Sequence, residues 1–319
     1  MPVIIKLKEI LSIINNIDVT TAMKEGFIAY SNGNSVVPAV GELLFDNPPG
    51  DVHIKYGFIK KKDYYVVKIA SGFYKNTQLG IASGQGLMLV FKQQTGELEA
   101  VLLDEGYLTN RRTVAAGILV VEHFSNNKTP TIGIIGTGTI SKMQIQQLKQ
   151  AQLGNTYWLW GRNRAKAEQL KTALGNDFDI RLAASCKELA QNCNTIITTT
   201  PSESPLLQAD DIKKGTLIVA IGSDTQCKQE LSTNIIRKAD LVIVDSIPQS
   251  KSRGEVYHAI KAGAITEDQV VELGKALQET QIQENNTEQI TVVDLTGVAI
   301  QDIMIASEVF KIIKKEKSC

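Results

Sequence analysis

The sequence is poor in the residues that would make it a metal protein, a disulfide scaffold or a membrane protein. Its 319 residues include four cysteines, Cys186, Cys193, Cys227 and Cys319, and no two of them form a Cys-x-x-Cys pair. So few and so scattered, they exclude a disulfide framework and read as small buried hydrophobes or inert thiols. The three histidines, His53, His123 and His258, lie far apart without the spacing of metal ligands, so no metal is expected. Charge of one sign is lacking too, because 34 Lys+Arg cancel 34 Asp+Glu. That excludes the basic excess of a typical nucleic-acid binder and any pull toward acidic membranes. No apolar run approaches the roughly 18–20 residues of a membrane helix. Residues 1–15 carry Lys6, Lys8 and Glu9, an amphipathic start unlike a signal peptide. The expectation is a cytoplasmic, soluble chain without nucleic-acid or membrane partners.

What is present is an ordinary globular composition, 43% hydrophobic, and a length that suits about two domains of roughly 100–200 residues. The chain changes rhythm between them. Residues 8–31 show apolar spacing of a helix, with Ile10, Ile13, Ile14, Ile17, Ala22, Phe27 and Ile28. β-like runs follow at 53–60, 64–71, 84–92 and 99–104. Lys60-Lys61-Lys62-Asp63 and Gln93-Gln94-Thr95-Gly96 read as the turns that pair them. Such a meander predicts an antiparallel or mixed sheet. A helix is expected over 109–124, then a break at Asn126-Asn127-Lys128-Thr129-Pro130. Beyond it, short apolar runs at 131–135, 156–160, 195–199, 217–221 and 241–245 alternate with helical segments, the pattern of a doubly wound parallel sheet. The polar stretch 279–288 reads as a surface loop. Residues 297–315 read as a helix whose apolar face returns to the first domain. The expected domains are 1–116, completed by 298–319, and 117–297.

The strongest local signal is Thr131-Ile-Gly-Ile-Ile-Gly136-Thr-Gly138-Thr-Ile-Ser141, a strand, then Gly-x-Gly-x-x-Ser, then a helix expected near Lys142. In that context it reads as a dinucleotide-binding turn. Gly136 would make the tight turn and Gly138 would let backbone approach a pyrophosphate held at the helix N-terminus. Ser141 stands where a third small residue permits close packing. The next strand, Tyr157-Trp158-Leu159-Trp160, ends in Gly161-Arg162-Asn163-Arg164 without the carboxylate that would bind a ribose 2′-hydroxyl. Two guanidiniums there suit a 2′-phosphate, so NADPH is the expected cofactor, with NADH weaker.

Taken together, these landmarks resemble the ornithine cyclodeaminase/μ-crystallin family over nearly the whole length. The resemblance rests on Lys68 before Gly72, Tyr107-Leu-Thr-Asn-Arg-Arg112-Thr113, the glycine motif and Trp160-Gly-Arg-Asn. It continues through Ile221-Gly-Ser-Asp224-Thr-Gln-Cys-Lys228-Gln-Glu230-Leu and Asp294-Leu-Thr296-Gly297-Val-Ala-Ile-Gln-Asp302. It implies an α/β homodimer in which a Rossmann domain is joined to a split α+β domain for substrate and dimerisation. The implied substrates are α-imino or α-amino acids. Lys68 and Arg112 match the positions that hold the substrate carboxylate. Asp224 matches the acidic residue beside the reacting nitrogen, with Lys68 also at the catalytic centre. Cofactor contacts are implied for Thr113, Gly136, Thr137, Gly138, Thr139, Ile140, Arg162, Asn163, Arg164, Thr200, Ser223 and Thr296.

The departures from the family pattern are specific. Where cyclodeaminases carry a catalytic glutamate, in the strand before the lysine strand, the register places Lys55. The basic Gly161–Arg164 segment replaces an acidic residue, an arginine is missing after Pro38-Ala39, and Gln226-Cys227 replace Pro-Gly after Asp224. These changes favour a reductase branch. The expected reaction is NADPH-dependent reduction of Δ1-pyrroline-2-carboxylate to L-proline, or of its six-membered piperideine analogue to pipecolate. Ornithine cyclodeamination and a non-enzymatic, crystallin-like ligand-binding role remain the alternatives.

Overall fold

The computed structural model describes residues 1–125, 130–279 and 288–318. Most of the 126–130 break and of the 279–288 loop therefore lie outside the described residues. The chain divides into two compact units. One comprises Met1–Arg112 and Val298–Cys319, the other Thr113–Gly297. The first division falls four residues before the expected position 116, inside a helix.

The first unit is built on a seven-stranded mixed sheet. Its strands are β1 (Val3–Lys6), β2 (Ser35–Val36), β3 (Gly41–Asp46), β4 (Pro49–Ile59), β5 (Tyr64–Gly72), β6 (Gly84–Lys92) and β7 (Leu98–Leu103). They run in the order β1-β7-β6-β5-β4-β2, with β3 also paired to β4. The β1–β7 pair is parallel and the others are antiparallel. β1, β2 and β3 were not foreseen. The single helix expected over 8–31 is two, α1 (Leu7–Ile13) and α2 (Val19–Ser31). The interruption has a local cause, since the Asp18 carboxylate accepts from Thr21 N at 3.0 Å and from its hydroxyl at 2.7 Å, a helix N-cap.

Strand alternation sorts the sheet's two faces. On β4, His53, Lys55, Gly57 and Ile59 are buried while Tyr56 is exposed. On β5, Val66 and Lys68 are buried and Ile69 is exposed. The inner face packs on the apolar face of the helix Ala299–Ser318, where Ile300, Ile303, Val309 and Phe310 are all buried, and that helix packs in turn on α1 and α2, whose Ile10, Met23 and Phe27 are buried. Each such side chain contributes about 1.5–3 kcal/mol of burial. The outer face leaves Ile4, Tyr56, Ile69 and Leu103 exposed, and Leu43, Leu44 and Phe45 of β3 are exposed as well.

The second unit opens on α3 (Tyr107–Phe124), which straddles the division. It continues with β8 (Ile132–Ile135), α4 (Thr139–Gln150), β9 (Thr156–Trp160), α5 (Arg164–Leu174), β10 (Asp179–Leu182), α6 (Cys186–Asn192), β11 (Thr195–Thr198), β12 (Leu217–Ala220) and α7 (Thr233–Lys238). Then come β13 (Leu241–Val244), α8 (Ile247–Ser250), α9 (Glu255–Lys261), β14 (Val270–Glu272), α10 (Leu273–Ala276) and β15 (Thr291–Asp294); the helix Ala299–Ser318 is α11. The eight strands are all parallel, in the order β10-β9-β8-β11-β12-β15-β13-β14. β8, β11, β12 and β15 are buried along their whole length, which is why the first three read as continuous apolar runs; β15 was not foreseen. The order reverses between β8 and β11. That reversal is the switch point at which such sheets bind ligands, beyond the carboxyl ends of the strands.

Candidate active site

The glycine turn lies at that switch point. Gly136 has φ +130°, and a side-chain carbon there would meet Thr199 Oγ1 at 2.4 Å and Ser141 Oγ at 3.0 Å. Ser141 is fully buried and its hydroxyl shares a 2.8 Å hydrogen bond with Thr199, so this serine does more than fill a small space. Helix α4 begins at Thr139, three residues before the expected Lys142, with Gly138 as its N-cap and no side-chain cap bond. Nothing lies within 4 Å of the place a Gly138 side chain would take. Free helix-terminal N–H groups facing open space fit a diphosphate. Thr137, Thr139 and Ile140 line the same turn.

Other expected contacts are differently disposed. Arg162 and Arg164 are exposed at the end of β9. Arg164 Nε pairs with Glu168 at 3.3 Å and its Nη1 donates to Ala183 O at 3.3 Å. The Asn163 side chain is taken up as the N-cap of α5, accepting from Lys166 N. Thr200 donates its backbone N–H and its hydroxyl to Glu230, and Ser223 donates its hydroxyl to Lys228 O at 2.6 Å. Thr296 donates to Asp245 at 2.9 Å and accepts from Gln249 at 2.8 Å. These side chains shape loops at the carboxyl edge of the sheet. Thr113 is the first residue of the second unit, on α3.

Asp224 stands in the loop after β12. Lys228 donates to its Oδ1 at 2.6 Å, and Arg253 donates to its backbone oxygen at 3.3 Å. The same unit buries four carboxylates, Glu230, Asp245, Glu255 and Asp294. Burial pushes Glu230 up to about 7 against hydrogen bonds from Thr198, Thr200 and Gly222 that hold it down. Burial, reinforced by Asp294, raises Glu255 well above its usual value, and burial raises Asp294 likewise. Their stabilising donors are mostly backbone: Glu230 and Leu231 N–H to Glu255, Val256 N–H to Asp294, and Gly297 N–H to Asp245.

The first unit concentrates positive charge instead. Lys68 on β5, Arg112 on α3 and Asp302 on α11 are all buried. The Lys68 ammonium lies 3.1 Å from Asp302 Oδ2, and Arg112 Nε lies 3.1 Å from Oδ1. Arg112 Nη1 donates to Gln301 Oε1 at 3.0 Å. Lys55, also buried, stands directly opposite Lys68 in the β4–β5 register. Burial works to raise the Asp302 carboxyl, but Lys68, Arg112 and Lys55 together outweigh it and hold it below its usual value. Burial lowers Lys68, with Asp302 opposing. Asp104 is buried nearby and accepts from Leu108 N at 2.8 Å, capping α3. An ammonium and a guanidinium offer eight donors between them, while one carboxylate and one amide oxygen meet them. The cluster can therefore take another anion.

Sequence reasoning gave Asp302, Asp104 and Glu230 no role. For Asp302 a signal existed, since Gln301 and Asp302 interrupt a stretch of α11 that is otherwise apolar, and a buried carboxylate requires a partner. Among the described residues no group of His, Cys, Asp and Glu is arranged to hold a metal ion, and no helix is long and apolar enough to cross a membrane. Cys186 and Cys193 are buried, and burial pushes both thiols up to about 12.

Comparison with known proteins concerns the chain as a whole. The chain is 32% identical over 300 residues to an uncharacterized cyclodeaminase of Sinorhizobium fredii, covering 93% of this chain and 91% of that one. It is 26% identical over 294 residues to a Δ1-pyrroline-2-carboxylate reductase of Bacillus thuringiensis, covering 91% and 89%. Among solved structures, an archaeal alanine dehydrogenase dimer with bound NAD superimposes with a TM-score of 0.90 at 27% identity, over 99% of this chain and 97% of that one. The ornithine cyclodeaminase/mu-crystallin family model matches residues 2–317. The chain belongs to the ornithine cyclodeaminase/mu-crystallin family.

Proposed function

We propose that this chain is an NAD(P)H-dependent oxidoreductase that reduces a cyclic α-ketimine carboxylate. Its substrate would be Δ1-pyrroline-2-carboxylate, giving L-proline, or the six-membered Δ1-piperideine-2-carboxylate, giving L-pipecolate. The observation that carries this reading is the buried Lys68–Asp302–Arg112 cluster with Lys55 opposite Lys68. Lys68 and Arg112 hold the substrate carboxylate, Arg112 through the planar fork that suits carboxylates. Asp302 keeps both cations charged and oriented while leaving donors for the ligand. A positioned imine reacts with far less loss of freedom than a free one.

The glycine turn and the N-terminus of α4 hold the cofactor diphosphate. The bound nicotinamide supplies the hydride, and the protein contributes orientation and charge. To Asp224 we assign the task of keeping the imine nitrogen protonated, which makes the C=N the better electrophile. Arg162 supports a preference for NADPH, since Arg164 is already paired with Glu168. The exposed apolar outer face of the first unit's sheet supports a homodimer in which a second copy covers it.

A second reading has its own support in the similarity to a cyclodeaminase. Cyclodeamination must oxidise an amine, expel ammonia and then reduce the ring, and Lys55 occupies the place of the glutamate expected to serve the extra proton transfers. The test is a screen of cyclic imines and ornithine, each with NADPH, NADH and NAD. Imine-dependent NADPH oxidation without ammonia release from ornithine is expected. Steady ammonia release from ornithine plus NAD would restore the cyclodeaminase. Asp224→Asn should keep cofactor binding and lower imine turnover by roughly 10²–10⁴-fold. Unchanged turnover across pH would move proton delivery to another group.

A further inference from the structure

We propose that Glu230 is a positioning residue that holds together the two loops carrying Thr200 and Asp224, and so sets both cofactor affinity and the placement of the proton donor. The proposal rests on the reading that the second unit binds a nicotinamide cofactor. Glu230 has no exposed surface. Its Oε1 accepts from Thr200 N at 2.6 Å and from the Thr200 hydroxyl at 2.7 Å. Its Oε2 accepts from the Thr198 hydroxyl at 2.7 Å and from Gly222 N at 2.9 Å. One carboxylate thus ties the ends of β11 and β12, two neighbouring strands on the ligand side of a parallel sheet.

The tie also closes a loop on itself. The segment 222–230 leaves β12 at Gly222 and returns so that the Glu230 side chain reaches back to Gly222 N. Inside the closed loop, Ser223 donates to Lys228 O and Lys228 donates to Asp224. The position of Asp224 is therefore referred to Glu230. The approach is tight enough that a side-chain carbon on Gly222 would lie 2.2 Å from Thr200 O and 2.6 Å from Glu230 Oε2. Glu230 is anchored from behind, because its own N–H and that of Leu231 are held by the Glu255 carboxylate at 2.7 and 3.1 Å. Its carbonyl accepts from Leu206 N at 2.7 Å.

In its ionised form, populated above about 7, the carboxylate suits this place because it only accepts. Two of its four donors are backbone N–H groups that cannot reverse, one on each oxygen. An amide of the same shape must turn its NH₂ toward one of them, leaving a buried donor unpaired. The loops then separate at either Thr200 or Gly222.

The test uses the full-length protein with Glu230→Gln and, as a second variant, Gly222→Ala, which spoils the approach while keeping the carboxylate. NADH and NADPH affinity is read by fluorescence titration, imine reduction by kcat and KM separately, and folding by circular dichroism and thermal melting. The expected result for a folded Glu230→Gln protein is a cofactor Kd raised about ten-fold or more, the size an unpaired buried donor carries. A fall in kcat should accompany it, and Gly222→Ala should repeat both effects. A folded Glu230→Gln protein with wild-type Kd and kcat overturns the proposal, even if its melting temperature drops, since that would be a purely structural role. If Glu230→Gln does not fold, a folded Gly222→Ala protein with unchanged Kd and kcat overturns it equally. A wild-type protein that binds neither cofactor overturns the cofactor reading, and this proposal with it. Binding that the variants leave unchanged overturns this proposal alone.

Discussion

The two units bury charge of opposite sign and stabilise it by different means. In the first, Lys68 and Arg112 pair with Asp302, supplied by a distant helix, and the buried Asp104 adds a weaker attraction on Lys68. In the second, Glu230, Asp245, Glu255 and Asp294 are met mainly by backbone N–H groups and threonine hydroxyls. One carboxylate and one amide oxygen at bonding distance leave donors of these cations over, enough for another anion. Backbone and hydroxyl donors meet both oxygens of Glu230 and Glu255, which ties them into the scaffold. Buried charge thus leaves donors over in one unit and builds loops in the other.

The comparison can be broken most severely at Asp302. Asp302→Ala leaves Lys68 and Arg112 buried without their carboxylate, a change that costs about 3–5 kcal/mol. Urea unfolding should show it, and a loss below about 1 kcal/mol would mean that the cations are stabilised by something else.

Proton linkage sharpens the contrast from the other side. Glu230 lies near 7 in the folded protein, well above the 4.5 of an unperturbed glutamate. Between those values the folded state holds a proton that the unfolded state has released, so stability falls as pH rises from about 4.5 to 7. The full effect is up to about 3 kcal/mol, and Glu255 and Asp294, both raised, act in the same direction. Unfolding of the cofactor-free protein between pH 5 and 8 should show the slope, and Glu230→Gln should flatten it. A slope identical in the variant would place the titrating group elsewhere.

Arg112 offers a finer test. Arg112→Ala should lower kcat/KM for the imine about ten-fold or more, and Arg112→Lys by less, since lysine keeps the charge but loses the fork. NADPH affinity should not follow, because Arg112 belongs to the first unit. A parallel loss of cofactor binding would show that the arginine has another task. The smallest effect is expected at Arg162, an exposed residue. Arg162→Ala should raise the KM for NADPH several-fold, about 1 kcal/mol of surface electrostatics, and leave that for NADH unchanged. Equal use of both cofactors by the wild type would remove the basis for the preference.

Much of this was legible in the sequence where the determinants are local. Residues 84–92 and 156–160 are strands as expected, and the turn at Gly136 and Gly138 declared itself because turn chemistry is written in adjacent residues. β1 was missed because its partner β7 lies about a hundred residues away, Val3 opposite Ala100, and parallel pairing leaves no nearby signature. β10 and β14 were missed because these edge strands, Asp179-Ile-Arg-Leu182 and Val270-Val-Glu272, hold only one or two consecutive apolar residues, and β15 was missed although it is as long as β8, β11, β12 and β13. The break at Asp18 was visible in principle as an N-cap but was overridden by apolar spacing on both sides. In the site, Lys68 and Arg112 could be picked out by resemblance, yet Asp302 could not be joined to them. Glu230 escaped for a different reason, since half of its partners are backbone N–H groups, which no side-chain pattern reports.

The separation of Arg112 and Asp302, 190 residues in sequence, has a consequence for synthesis. At about 5–20 residues per second, the ribosome makes Asp302 some 10–40 seconds after Arg112. In that interval the strands of the first sheet can pair, but Lys68 cannot enter a dry interior without a counter-charge, and the inner face lacks the helix that covers it. The second unit, continuous from Thr113 to Gly297, is complete before α11 emerges. The nascent chain therefore carries a finished nucleotide-binding sheet and an unfinished first unit. Arrival of α11 brings an apolar cover and a neutralising carboxylate in the same stroke.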